Sequence, residues 1–501
     1  MIEATIRAHI DHWAGQTPDA PFLIEAESGR TITYGKIQGE LTAFAGALAA
    51  RGMQPGDSIG FAMTNGIDTA RVILGCLTGG YLATAVNLVA GAQTISYVLE
   101  HSQARMIFVE DGTRALLEQA TEGGQNLVTL DAAWMDQAVG PPTPNPQDDG
   151  LLMYTSGTTG RPKGVILTQA ALIAGGRNAA LAHELTPADR ALCVLPLYHI
   201  NGLCVTLMGP LISGGSVVLP PKFSVSSFWR HLRAHACSWF SVVPTQINYL
   251  LHAAVEHGHD RAGLEALRFG RSASAPLAPE VQRGFEDRFG IPIIETMGLT
   301  ETAAQILSNP MPPGERKIGS PGIPFGNDVI IGDAEQRELP RGQEGEILVR
   351  GDNVMRVYRD NPQATAEALT PEGWLRTGDL GRMDADDYVF VTGRLKELII
   401  KGGENIAPRE IDEVLYSHPD VIEAAAFPRT CPQYGQRVEA GVMLRDGSNL
   451  TEAAMIALCR DAVGAFKAPD RVHVLPELPK GPSGKIQRMK LADLTDAEHV
   501  A

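Results

Sequence analysis

The run Tyr154-Thr155-Ser156-Gly157-Thr158-Thr159-Gly160-Arg161-Pro162-Lys163-Gly164 gathers hydroxyl donors, glycines and Lys163 into one short stretch. Glycine lets backbone N–H groups close on a phosphate, the hydroxyls add donors, and a lysine supplies charge. The chemistry this composition suits is a grip on the β- and γ-phosphates of a nucleotide. It is not the P-loop of ordinary nucleotidases, because Lys163 is followed by Gly164 rather than Ser or Thr and the glycine spacing differs.

Three further clusters extend the same chemistry. In Met297-Gly298-Leu299-Thr300-Glu301, a hydroxyl for a phosphate oxygen stands beside a carboxylate for Mg²⁺. That ion favours one or two carboxylates plus substrate phosphates, although a helix start reads the same way. Thr377-Gly378-Asp379 and Gly393-Arg394 bring a carboxylate able to accept ribose hydroxyls and a guanidinium fork for the sugar or phosphates. A surface salt bridge beside a turn is the other reading of that pair. Pro479-Lys480-Gly481-Pro482-Ser483-Gly484-Lys485 leaves Lys485 on a loop that can insert its charge elsewhere.

These residues need rigid supports. Apolar Leu151-Leu152-Met153 and Val165-Ile166-Leu167 flank the glycine-rich run, so it is expected to hang between two buried strands. Strands are expected at Ser58–Met63, Met106–Val109, Ala191–Leu195, Ser216–Leu219, Ser238–Val242 and Ala266–Arg271. Between them Asp68–Leu77, Gln169–Ala182, Ser226–Ala234 and Glu280–Phe289 carry helical periodicity, which makes the class α/β. Glycine-punctuated short strands such as Glu346–Arg350 and Tyr388–Val391 suggest a β-rich unit from Gly314 to Arg394. The expected division is a large N-terminal domain over 1–394, a hinge at 395–396 and a small α+β domain over 397–501.

Bulk properties narrow the class. With 501 residues the chain exceeds a single comfortable core. A net charge of −16 argues against nucleic acid or an anionic membrane as the main partner. Six cysteines without paired spacing favour buried thiols in a reducing compartment. No signal peptide, membrane-spanning run or peroxisomal address is visible, so a cytoplasmic location is expected. Monomer and homo-oligomer stay open.

Taken together, from about Thr33 to Lys485 and in the same order, these motifs resemble the acyl-CoA synthetase branch of the adenylate-forming superfamily. Pro196-Leu197-Tyr198-His199-Ile200-Asn201-Gly202 and Gly402-Gly403-Glu404-Asn405-Ile406-Ala407-Pro408 match as well. The resemblance implies the adenylate-forming fold, a mobile C-terminal lid, ATP, Mg²⁺ and coenzyme A, and two half-reactions at one site. A carboxylate first attacks the α-phosphorus of ATP to give an acyl-adenylate and pyrophosphate; the CoA thiol then displaces AMP. It also implies that Thr155 to Lys163 hold the β,γ-phosphates, Thr300 the α-phosphate and Glu301 the Mg²⁺. Asp379 and Arg394 would hold the ribose, with Ser274-Ala275-Pro276 and Glu295-Thr296-Met297 flanking adenine. Lys485 would bridge the carboxylate and α-phosphate. The lid would then swing about Lys396, bringing Gly402 and Gly403 over a pantetheine tunnel. Lys396 stands where Asp is frequent, Met297 where Tyr is usual, and Gln436 where Glu is commoner.

His199 falls where such synthetases place an aromatic or histidine beside the acyl group; a packed loop histidine is the plain alternative. No Asp is evident to hold an amine, which disfavours a peptide-synthetase module. Arg268 to Pro279 and Ser308-Asn309-Pro310 resemble oxalyl-CoA synthetases, but the histidine of their Thr-Glu-Ala-Ser-His segment has no counterpart at Ala304. Arg271 or Ser272 near a pocket would receive a polar acid, unless Arg271 is a strand-end ion pair. An acid–CoA ligase with a small polar acid slightly favoured is the expectation. The rivals are a medium-chain or aryl acid ligase, an enzyme loading a carrier-protein thiol, and a non-catalytic nucleotide-binding regulator.

Overall fold

A computed structural model describes residues 4–121, 123–124, 126–136, 140–155, 161–252, 262–481 and 485–497. Ser156, Gly157, Thr158, Thr159 and Gly160 of the phosphate loop lie outside the described residues.

The flanks of that loop form the expected hairpin. Asp149–Thr155 and Lys163–Thr168 pair antiparallel, with Thr155 opposite Lys163 at the open end. Among the described residues they belong to a seven-stranded sheet running Val357–Tyr358, Lys163–Thr168, Asp149–Thr155, Leu82–Ala85, Ser58–Ala62, Met106–Val109 and Leu127–Thr129. Helix Gln169–Ala182 leaves the hairpin directly, capped by Thr168 Oγ1, which accepts from the Ala171 N–H at 3.1 Å.

A second sheet carries nine described strands, from Ile323–Pro324 at one edge to Thr31–Thr33 at the other. Its centre is parallel: Ile293–Leu299, Phe269–Ser272, Trp239–Val242, Arg190–Cys193, Ser216–Leu219 and Pro21–Glu25 are successive neighbours. Such strands are covered on both faces, which is why they read as unbroken apolar runs rather than as alternation. The glycine-punctuated region becomes a four-stranded antiparallel sheet of Asp328–Gly332, Glu344–Arg350, Leu375–Met383 and Val389–Arg394. Beyond it a small unit builds its own sheet from Ile399–Lys401, Glu404–Ile406, Val421–Cys431, Gly435–Leu444 and Arg471–Val474. Its separate core includes Ile399, Ile411, Leu415, Val442 and Met455. No helix is long and apolar enough to cross a membrane among the described residues.

The structure moves some expected elements. The strand expected at Ala266–Arg271 is Phe269–Ser272, because Arg268 turns out to pair with Asp189 at 2.7 Å while Leu264 and Leu267 pack as loop residues. The strand expected to end at Leu195 ends at Cys193. After it Asn201–Met208 winds as a π-helix, an element whose evenly apolar sequence carries no helical stripe. A Cβ on Gly202 would stand 2.3 Å from the Pro196 carbonyl oxygen, so that close approach requires glycine.

Candidate active site

The carboxyl ends of two parallel strands lead into one cleft, the usual place for a ligand in an open α/β sheet. Trp239–Val242 delivers Val243, Pro244 and Thr245 to its wall, and Phe269–Ser272 delivers Ser274, Ala275 and Pro276. Ile293–Leu299 leads into Thr300 and Glu301, which open a short 3₁₀ turn. A Cβ on Gly298 would meet the Ala304 carbonyl oxygen at 1.7 Å, so this tight return needs glycine. Ser274 at φ +74°, with Ala303 at +44° and Ala304 at +79°, puts three non-glycine residues in the left-handed region at the site's edge.

The antiparallel sheet supplies the opposite wall. Asp379 and Arg394 face each other across adjacent strands, and Arg394 Nε donates to Asp379 Oδ1 at 2.5 Å. Thr377 Oγ1 holds the Asp379 N–H at 3.0 Å and is anchored to the Ile347 carbonyl at 2.8 Å. The Asp379 carboxylate raises the affinity of Arg394 for its proton above the ordinary value.

The small unit closes the cleft. Lys485, Ile486 and Arg488 line it together with Asp379, Arg394 and Glu397. Burial and the Arg394 charge pull Lys485 below the usual lysine range, and Glu397 and Asp379 partly offset them. Contacts between the units hold this arrangement. Lys480 Nζ lies 2.8 Å from Glu423 Oε1 and 2.7 Å from Tyr249 Oη, and Tyr249 Oη donates to Glu423 at 3.2 Å. Asn248 also donates to the Ile422 carbonyl, and Arg409 Nη1 to that of Val391 at 2.5 Å.

Glu301 connects to the phosphate loop through Tyr358. The phenol donates to Glu301 Oε1 at 2.8 Å, and Lys163 Nζ lies 4.2 Å from the Tyr358 ring centroid. Tyr154 at the loop's start is bonded to His101 Nδ1 at 2.8 Å. The donor set suits Mg²⁺: Glu301 is a hard oxygen ligand with its second oxygen uncommitted to Tyr358, and no cluster of three His, Cys, Asp or Glu competes among the described residues. Substrate phosphates would complete the coordination.

Other expected site residues take different places. Glu295 is buried and its Oε1 accepts from the Leu277 N–H at 3.0 Å, so its carboxyl braces the loop after Pro276. Burial pushes Glu295 up to about 7. Thr296 is buried with its hydroxyl on the Ser272 carbonyl at 3.3 Å, and Met297 packs against the core of the antiparallel sheet. His199 precedes the π-helix and packs beside Tyr198. Lys396, Gly402 and Gly403 are exposed and do not line the cleft; the two glycines form a turn at φ +60° and +87°. Gln436 receives the Ile400 N–H at 2.7 Å beside that turn. Tyr358, Glu397, Tyr249 and Glu423 escaped the sequence reading, since none sits in a motif.

Residues 10–359 match the AMP-binding enzyme family and residues 410–485 the AMP-binding enzyme C-terminal domain. The chain is 47% identical to a sulfoacetate–CoA ligase of Cupriavidus necator, over 97% of each chain. It is 34% identical to an oxalate–CoA ligase of Arabidopsis thaliana, over 98% of this chain and 99% of the other. Among solved structures, ATP-bound MatB from Rhodopseudomonas palustris superposes with a TM-score of 0.89 at 27% identity, covering 98% of this chain and 99% of that one.

Proposed function

We propose, for a chain that belongs to the AMP-binding enzyme family, that the acid it activates is short and carries a second anionic group, as sulfoacetate does. The reaction is an ATP-dependent acid–CoA ligation: an acyl-adenylate forms, CoA takes the acyl group, and AMP and pyrophosphate leave. ATP, Mg²⁺ and coenzyme A are its co-substrates and cofactor. The observation that carries the choice of acid is the 47% identity, end to end, with a sulfoacetate–CoA ligase.

The roles proposed are those the family resemblance implies, and the presence of Asp379, Arg394 and Lys485 in one cleft supports them. The loop from Thr155 to Lys163 takes the β,γ-phosphates, Thr300 the α-phosphate and Glu301 the Mg²⁺. Asp379 and Arg394 take the ribose, and Ser274-Ala275-Pro276 one face of the adenine, with Glu295, Thr296 and Met297 behind and beside them. His199 borders the acyl group. Lys485 neutralises charge where the carboxylate meets the α-phosphate, an effect that grows toward the transition state and therefore accelerates the step. With Lys485 in the cleft, the arrangement suits the first half-reaction. The second requires the small domain, 397–501, to turn about a hinge at 395–396, with Lys396 as pivot, and to bring Gly402 and Gly403 to the site. Six thiols, all free of disulfides, fit a cytoplasmic setting.

The test is kcat/KM for pyrophosphate release with sulfoacetate, oxalate, malonate, acetate, hexanoate and benzoate, each with saturating ATP and CoA. The doubly anionic acids should lead. Hexanoate or benzoate in front would refute the choice of acid while leaving the reaction class intact.

A further inference from the structure

Arg271 is 1% exposed, at the carboxyl end of a central strand and three residues before Ser274 of the cleft wall. Among the described residues every group it bonds is neutral. Its Nη1 donates to Asn201 Oδ1 at 2.7 Å and Ser241 Oγ at 3.1 Å, and its Nε to Gln305 Oε1 at 3.3 Å. It is therefore not a strand-end ion pair. Among the described residues the acidic group acting on it is the Cys204 thiol, itself pushed up to about 12 by burial and so uncharged at neutral pH. A buried cation without an anion is costly, and proteins rarely leave one uncompensated.

Two neighbours point the same way. Gln305 is fully buried, and its Nε2 has no acceptor among the described residues although its Oε1 holds Arg271. An acceptor arriving at Arg271 would satisfy that donor as well. Asn201 links the guanidinium to the cleft, since its Nδ2 donates to Ser274 Oγ at 3.2 Å.

We propose that Arg271, with the Gln305 amide, receives the distal anionic group of the acid and so selects sulfonated or dicarboxylic acids over monocarboxylates. The proposal rests on the reading of the acid given above and names the group that enforces it. A guanidinium fork matches the oxygens of either a sulfonate or a carboxylate. An uncharged tail leaves the cation and the amide unpaired, and a site built this way rejects the ligand that lacks the matching group.

The test compares wild type with Arg271→Met, Arg271→Lys and Asn201→Asp on sulfoacetate, malonate, acetate and propionate. ATP binding by calorimetry and thermal melting report whether each variant folds. Asn201→Asp is isosteric and gives Arg271 an internal counter-ion, so it carries the test if Arg271→Met fails to fold. In Arg271→Met and Asn201→Asp the dianion-to-monoanion ratio of kcat/KM should fall by about 100-fold or more, through KM for the acid. Arg271→Lys keeps charge without the fork and should lose less. Sulfoacetate against malonate tells a sulfonate receptor from a carboxylate one. A wild type that prefers acetate or propionate overturns the reading of the acid. A dianion preference that survives in folded Arg271→Met or Asn201→Asp overturns the role of Arg271 alone, as does an equal loss for both classes of acid.

Discussion

Lys485 Nζ stands 3.8 Å from Glu397 Oε1, so the lysine that reaches the nucleotide cleft is paired with the residue that follows the proposed hinge. Arg488 braces the pair, lying 3.5 Å from Glu397 Oε2 and 2.7 Å from Asp412 Oδ2. Glu397, Arg488 and Asp412 belong with Lys485 to the small domain, so a turn about 395–396 carries the cluster as a body away from Arg394 and Asp379, the charges of the large domain that act on Lys485. The lysine's proton affinity and the domain's position are thereby coupled.

Glu397→Gln removes a charge that keeps Lys485 protonated against burial and Arg394. Lys485 then loses its proton at a lower pH. The alkaline limb of the pH–rate profile for acyl-adenylate formation should move toward neutrality, measured by pyrophosphate release without CoA. An unmoved limb would remove Lys485 as the titrating group.

Lys485→Ala should slow adenylate formation by about 100-fold or more, as loss of a charge-stabilising group in a closed site does. Thioester formation from pre-made acyl-adenylate should be nearly unchanged. Equal loss in both half-reactions would contradict the two-position scheme.

Tyr358→Phe takes a hydrogen bond from Glu301 but keeps the ring beneath Lys163. The Mg²⁺ concentration for half-maximal rate should rise by about tenfold, the usual effect of losing an outer-shell partner. Glu301→Gln should raise it further. A Mg²⁺ response equal to wild type in both variants would move the ion elsewhere.

Tyr249→Phe breaks the contacts with Glu423 and Lys480 that join the two domains. One or two net hydrogen bonds are worth about 1–2 kcal/mol, so adenylation should slow by roughly 5–30-fold while thioester formation does not. Stopped-flow of each half-reaction reads the split.

Glu295 sits at about 7 when folded, against 4.5 as its ordinary value. In that window the folded carboxyl keeps a proton that the unfolded chain has released, so stability is lost as pH rises through about 7. Glu295→Gln should remove this loss, at most about 3 kcal/mol, and raise the melting temperature more at pH 8 than at pH 5.

Local patterns made much of this legible in the sequence. Met106–Val109, Ser216–Leu219 and Gln169–Ala182 form over the expected residues because apolar runs and a Thr cap act within a few positions. What escaped depends on distance. Tyr249 meets Glu423 across 174 residues, and Tyr358 meets Glu301 across 57, with no spacing to signal either. Arg271 shows the limit best. Its sequence left ion pair and anion receptor equally open, and the choice turns on Asn201, Ser241 and Gln305, brought in from three other elements.

The most direct measurement is a competition in one vessel: equimolar sulfoacetate, oxalate, malonate, acetate, hexanoate and benzoate with ATP, Mg²⁺ and CoA, read by mass spectrometry of the thioesters. A CoA thioester of a doubly anionic acid, sulfoacetate foremost, should dominate the early product. Dominance of the acetyl, hexanoyl or benzoyl thioester would contradict the account.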